Sequence, residues 1–276
     1  MPTWLRSVLI ISLALAWPAA GLAQFGQPKV TYDRFKWQVY HAPHFDIYYY
    51  PEEEAFLERM VSFSESAYLK LSEDLDHQLS IRVPLIYYKT HPEFEQTNIT
   101  LQEIPEAVGA FAEPLQSRMV LPIDGPPDKT YKLILHELTH IFEYDILFNN
   151  QLGRTFRANP PLWIMEGLAS FLAEDEDSFD QMAIRDAVVN SLVPRIQELG
   201  GGFLTYRFGN AVFTFIEDRW GMEGVRNFLF EYRKVLLRNN IPKALKEAFG
   251  LDIDEFNRQF QKYLRQRYLP YLLEKN

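Results

Sequence analysis

Two histidines and a glutamate stand within five residues of each other, as His136-Glu137-Leu138-Thr139-His140, inside the apolar stretch that begins at Tyr131. On a helix, positions i and i+4 lie roughly 40° apart around the axis, so His136 and His140 share one face. Both imidazoles can then converge on a single ion, since zinc takes histidine nitrogens at about 2.0–2.1 Å. Glu137 falls about 100° round from His136. That puts it beside the ion, where a base must stand to take a proton from a water activated there. Leu133, Ile134, Leu135, Leu138, Ile141 and Phe142 flank the motif and leave little of this helix for solvent. A buried histidine pair needs a partner, and a metal ion is one.

A catalytic zinc needs a third protein ligand and one open position. The chain has no cysteine, so a thiolate ligand, a thiol nucleophile and disulfides are all excluded. The other histidines, His41, His44, His77 and His91, lie upstream and read as ordinary structural or surface residues. No third histidine follows shortly after His140, so a carboxylate is left. Glu166 is the best candidate, as the lone acid in the apolar segment Pro161 to Phe171. An acid in such surroundings costs on the order of several kcal/mol unless it is paired or metal-bound. The plainer reading is an exposed glutamate on an amphipathic helix. Groups able to orient the histidines stand at usable spacings in Glu143, Asp145, Ser170 and Glu174. The acidic run Glu174-Asp175-Glu176-Asp177 reads as a solvated helix end.

His136-Glu137-x-x-His140 followed by Trp163-x-x-Glu166-Gly167-x-Ala169 resembles the gluzincin zinc metallopeptidases, and the second wording is similar to that of their aminopeptidase branch. From about residue 40 onward the chain resembles the bacterial peptidase MA-like domains, which a β-propeller often follows. No propeller follows here, so the sequence reads as a stand-alone member or a fragment. The resemblance implies a zincin-like fold and one zinc ion held by His136, His140 and Glu166. It also implies a tyrosine that hydrogen-bonds the developing oxyanion, matched here by Tyr206 in Tyr206-Arg207-Phe208-Gly209. Two departures stand out. The 25 residues between His140 and Glu166 exceed the separation usual in that group. The Gly-x-Met-Glu-Asn segment that holds a substrate's N-terminus is absent, although Gly109 to Glu113 lies at a similar place and could supply an edge strand for substrate backbone.

The elements that must position these residues suggest an α+β chain. Aromatic and β-branched runs at 44–50 and 80–88, with shorter ones at 110–112 and 119–122, predict strands. Helical spacing runs from Glu52 to about Asp76. Asp128 is a cap candidate for the H-E-x-x-H helix, and Asn159-Pro160-Pro161 opens the helix carrying Glu166. Further helices are expected near 178–191, 204–218, 222–237, 241–249 and 253–268, with Gly250 past the end of one and Asp252 to Glu255 as a capping box for the next. The expected organisation is a signal peptide over 1–23, a mixed-sheet subdomain over 24–148 carrying H-E-x-x-H, and a helical subdomain over 149–276 carrying the third ligand.

The signal peptide is read from Arg6, the apolar run Val8 to Trp17 and the small residues Gly21-Leu22-Ala23. No later stretch is long and apolar enough to suggest a membrane span. An exported protein free of cysteine suits a bacterial envelope, periplasmic or secreted. The 276 residues carry 28 basic and 37 acidic side chains; losing Arg6 with the leader takes the balance from −9 to −10. With no basic stripe, a nucleic-acid partner is disfavoured. The expectation is a zinc-dependent peptidase acting on a peptide or protein substrate, with Glu137 as general base. Two alternatives stay open: a non-catalytic envelope module that keeps a peptidase-like zinc site and binds a protein partner, and a zinc hydrolase acting on another amide or ester.

Overall fold

The computed structural model describes residues 31–100, 103–149 and 155–270. The expected signal peptide, and part of the loop between His140 and Glu166, lie outside the described residues. The chain is α+β, with a five-stranded mixed sheet and eight α-helices among the described residues.

The strands are β1 (Gln38–His41), β2 (Phe45–Tyr49), β3 (Val83–Tyr88), β4 (Phe111–Glu113) and β5 (Arg118–Pro122), in the order β1-β2-β3-β5-β4. The three inner strands run parallel, and both edge strands pair antiparallel. Period-two alternation divides their side chains between two cores. Phe45, Ile47, Val83, Leu85, Met119 and Leu121 face the helices. Ile86, Tyr88 and Val120 face a smaller cluster, closed by Phe35, Phe94, Ile104 and neighbouring aromatics. Covered on both faces, the parallel strands need apolar residues at nearly every position, as β3 and β5 have. β1 was not expected. Its four residues are exposed, so burial leaves no pattern in them to read.

Helix α1 (Leu57–Leu75) follows a 3-10 turn at Pro51–Phe56 and packs on the sheet. A short α2 (His91–Phe94) precedes β4. Helix α3 (Pro127–Glu143) carries H-E-x-x-H and passes into a π-turn, Tyr144–Phe148. Asp128 does not cap α3. Pro126 occupies the cap position, and Asp128 lies in the first turn, where its charge still favours the helix dipole. The helical half comprises α4 (Leu162–Ala173), α5 (Ser178–Val189), α6 (Phe203–Val235), α7 (Ile241–Phe249) and α8 (Ile253–Tyr268). Gly221, at φ 68°, breaks α6 between the two helices expected there. Gly250 ends α7 in the left-handed region. Asp252 accepts the Glu255 N–H at 2.8 Å, but the Glu255 carboxylate turns to Arg258 and Gln259. One apolar core runs from the sheet through α1, α3 and α4 to α6 and α8. No helix among the described residues is long and apolar enough to cross a membrane.

Glu53, in the turn before α1, is a buried acid. One carboxyl oxygen accepts the Tyr50 N–H at 3.1 Å, and the other is buried with no hydrogen-bond partner. Burial pushes its carboxyl up to about 8, helped by Glu93 and Glu52 and opposed by its contacts with Tyr50. Above the unfolded value near 4.5, the unfolded chain releases a proton that the folded chain keeps. Stability therefore falls as pH rises towards 8 and levels off beyond it, with a slope of up to about 1.4 kcal/mol per pH unit. Glu53→Gln should remove this segment of the profile, so that the variant gains on the parent between pH 5 and 8. Urea unfolding across that range tests it; parallel curves would show that Glu53 ionises freely.

Candidate metal centre

His136 and His140 project from α3, and Glu166 from α4, which packs beside it. Glu166 Oε2 lies 3.3 Å from His136 Nε2 and 3.6 Å from His140 Nε2. One ligand atom from each of the three residues falls within 4.8 Å of the others, the only such grouping found among the described residues. The outer nitrogens are also held. His140 Nδ1 lies 2.8 Å from the Glu143 carboxylate, and His136 Nδ1 lies 3.3 Å from Asp175. Each imidazole thus presents Nε2 inward and has a carboxylate behind it, the arrangement that fixes a metal-ligating histidine. Two imidazoles and one carboxylate suit a divalent ion such as zinc.

The electrostatics agree with that fit. Burial alone would lower the histidines, but Asp175 and Glu166 raise His136 to about 9, and Glu143 and Glu166 hold His140 well above its ordinary value. Burial would raise Glu166, yet the two histidines hold it down at about 2. Three carboxylates thus call for positive charge on two imidazoles, a demand that a divalent cation also answers. Glu137 is buried on the same helix; burial pushes its carboxyl up against the pull of His140 and His136.

A cleft of about 960 Å³ opens over this cluster. Its walls include β4, His136, Glu137, His140, Glu166 and Tyr206. Tyr206, on the first turn of α6, is 40 % exposed, and burial followed by the Glu166 charge pushes its phenol up. All five residues singled out from the sequence therefore meet at one cleft. His41, His44, His77 and His91 pair elsewhere, with Asp46, Glu65, Asp145 and Glu95.

Tyr206 reaches the cleft because α4 and α6 touch backbone to backbone. A Cβ built on Gly167 would lie 2.5 Å from the Gly209 carbonyl carbon, and one on Gly209 would lie 2.5 Å from the Trp163 carbonyl oxygen. Real side chains do not fit there, so both positions require glycine. Gly167 follows Glu166 directly, and Gly209 lies nearly one turn after Tyr206. The close crossing thereby joins the third ligand to the phenol.

Two residues of this site were not expected. Asp175 belongs to the acidic run read as a solvated helix end, and the run does end α4 with Glu174, Asp175 and Asp177 exposed, but its members also make specific contacts. Glu174 takes a left-handed conformation at φ 52° and turns the chain back after α4, and its carbonyl accepts from Lys132. Asp175 then reaches His136, Glu176 lies 3.8 Å from Arg267, and Asp177 caps α5. No local pattern announces a partner 39 positions away. Tyr144 also lines the cleft, stacked on His140 with ring centroids 6.3 Å apart. Its i+4 spacing from His140 was the available signal. Of the other orienting candidates, Asp145 instead binds His77 at 2.6 Å, and Ser170 borders a side pocket that adjoins the cleft at Asp175, Glu176 and Tyr206.

Gly209→Ala should destabilise the fold by about 1–3 kcal/mol through overpacking against the Trp163 carbonyl and weaken binding of a divalent metal at the cluster along with it. Thermal melts and zinc titration would read this, and a variant matching the parent in both would remove the glycine contact from the account. Separately, Glu143→Gln should lower the cluster's affinity for a divalent metal roughly 10- to 100-fold with little change in the fold. Competition against a chromogenic chelator measures it, and an unchanged affinity would show that His140 needs no carboxylate behind it.

No protein-family model matches the sequence, and no curated protein matches it. The functional conclusion therefore rests on the arrangement of these side chains.

Proposed function

We propose that this protein is an exported, zinc-dependent peptidase of the gluzincin type with a zincin-like fold, periplasmic or secreted from a bacterial envelope. The observation that carries the proposal is the convergence of His136, His140 and Glu166 from two helices at one open cleft, with Glu137 beside them. His136, His140 and Glu166 would hold the ion. When bound, zinc supplies Lewis-acid polarisation of a water and of the substrate carbonyl.

The remaining chemistry belongs to the chain's own residues. Glu137 takes the proton of the attacking water and delivers it to the leaving amine. Its burial supports this role, since a carboxylate raised towards neutrality is a better base than an exposed one. Tyr206 donates from its phenol to the oxyanion that develops on the scissile carbonyl. Glu143 and Asp175 hold the imidazoles in orientation. The cleft suits an extended peptide, and β4, an edge strand along its wall, offers backbone for the substrate to pair with.

Glu137→Gln should abolish chelator-sensitive cleavage of a peptide library while the protein retains one zinc per chain. Mass spectrometry of library digests, together with metal analysis, gives both readouts. A parent protein that holds zinc yet cleaves nothing would favour a non-catalytic binding module. A Gln variant of full activity would dismiss Glu137 as the base.

A further inference from the structure

The middle residue of β4 carries an arrangement that the reaction above does not use. β4 is the outermost strand of its side of the sheet, paired only with β5, through Phe111↔Val120, Ala112↔Met119 and Glu113↔Arg118. Alternate residues of an antiparallel ladder turn their backbone groups to the partner strand and away from it. Ala112 turns away. Its carbonyl oxygen accepts the Tyr144 hydroxyl at 3.4 Å, and its N–H faces the Glu137 carboxylate. Both backbone groups at the free edge of this strand therefore face side chains of α3 and its π-turn.

The two occupants are held differently. Tyr144 stands in a column of rings, stacked on His140 at 6.3 Å and on Phe148 at 5.9 Å, with interplanar angles of 18° and 12°. The column aims its hydroxyl at the strand. The bond it makes is long compared with the usual ~2.7–2.8 Å for O–H···O, hence weak and readily exchanged. An amide N–H from an extended chain laid along β4 would need that same carbonyl oxygen, and its carbonyl would need the Ala112 N–H.

We propose that Tyr144 is a gate on the edge strand: its phenol occupies the Ala112 carbonyl until an extended chain that offers a backbone N–H displaces it. The gate acts on the docking of substrate along β4 and rests on the peptidase reading.

The test uses the full zinc-loaded chain in the Glu137→Gln background, which prevents turnover, and a peptide taken from the cleavage screen or, should nothing be cleaved, from a binding screen of the same library. Isothermal calorimetry compares Tyr144 with Tyr144→Phe. Removing a weak competing hydrogen bond should tighten peptide binding about two- to fivefold, and N-methylating one particular backbone nitrogen of the peptide should erase the gain. Equal or weaker binding by the Phe variant, with an unchanged melting temperature, overturns the gate. So does a gain that survives methylation at every position. Cleavage by the otherwise unaltered protein, lost with chelator, is scored separately. Active protein with no Tyr144 effect sinks the gate alone, whereas inactivity together with no peptide binding sinks both readings.

Discussion

The contact between the backbones of Gly167 and Gly209 governs how the helical half meets the site. Two helices with side chains at that crossing would stand farther apart, since a Cβ on either glycine would penetrate the other backbone. Trp163, fully buried one turn before Gly167, packs against Phe213 and Phe228 on the same pair of helices. The apolar contact and the glycine contact together set the depth and rotation of α4. Glu166 is then presented towards α3 while its neighbours remain in the core. Tyr206 depends on the same crossing, being carried to the cleft by the helix that Gly209 seats against α4.

The second organising constraint is charge. His140, Glu137 and Glu143 are all buried on one helix, and Glu166 approaches them from the next. Groups of this kind are costly to bury unless each finds a partner. The structure answers by pairing every imidazole twice: His136 with Glu166 and Asp175, His140 with Glu166 and Glu143. Glu166 is common to both, so the centre of the cluster is one carboxylate oxygen between two imidazole nitrogens. A cation placed among these atoms would exchange protons for metal without asking the surroundings to reorganise.

The sheet contributes through its edge. β4 is short and pinned at its far end by Glu113, whose carboxylate accepts from Leu115 N–H at 2.6 Å, Gln116 N–H at 3.1 Å and Arg118 Nε at 3.1 Å. The π-turn after α3 is pinned in turn by Asp145, bound to His77 at the end of α1. These two anchors set Tyr144 and Ala112 face to face across the cleft wall. Strand, histidine-bearing helix and turn thus form one continuous boundary around the candidate centre.

The sequence by itself determined the parts whose causes are local. The i, i+4 spacing of His136 and His140 fixes their common face on any helix. Hydrophobic periodicity and the helix-ending glycine at Gly250 mark most of the strands and helices. The absence of cysteine and of a downstream histidine leaves an acid as the candidate third ligand, and a lone acid in the apolar run around Glu166 stands out for that reason. Tertiary structure decided what depends on residues far apart in the chain. Asp175 looked like one of four solvent-facing acids until a left-handed turn at Glu174 returned it to His136. Tyr206 stood out from fifteen tyrosines only through the resemblance, and it is a two-glycine crossing that brings it to the cleft. Tyr144 had helical spacing but no visible role until β4 arrived beside it. Periodicity records which face of an element is buried; it carries no record of which distant element does the burying.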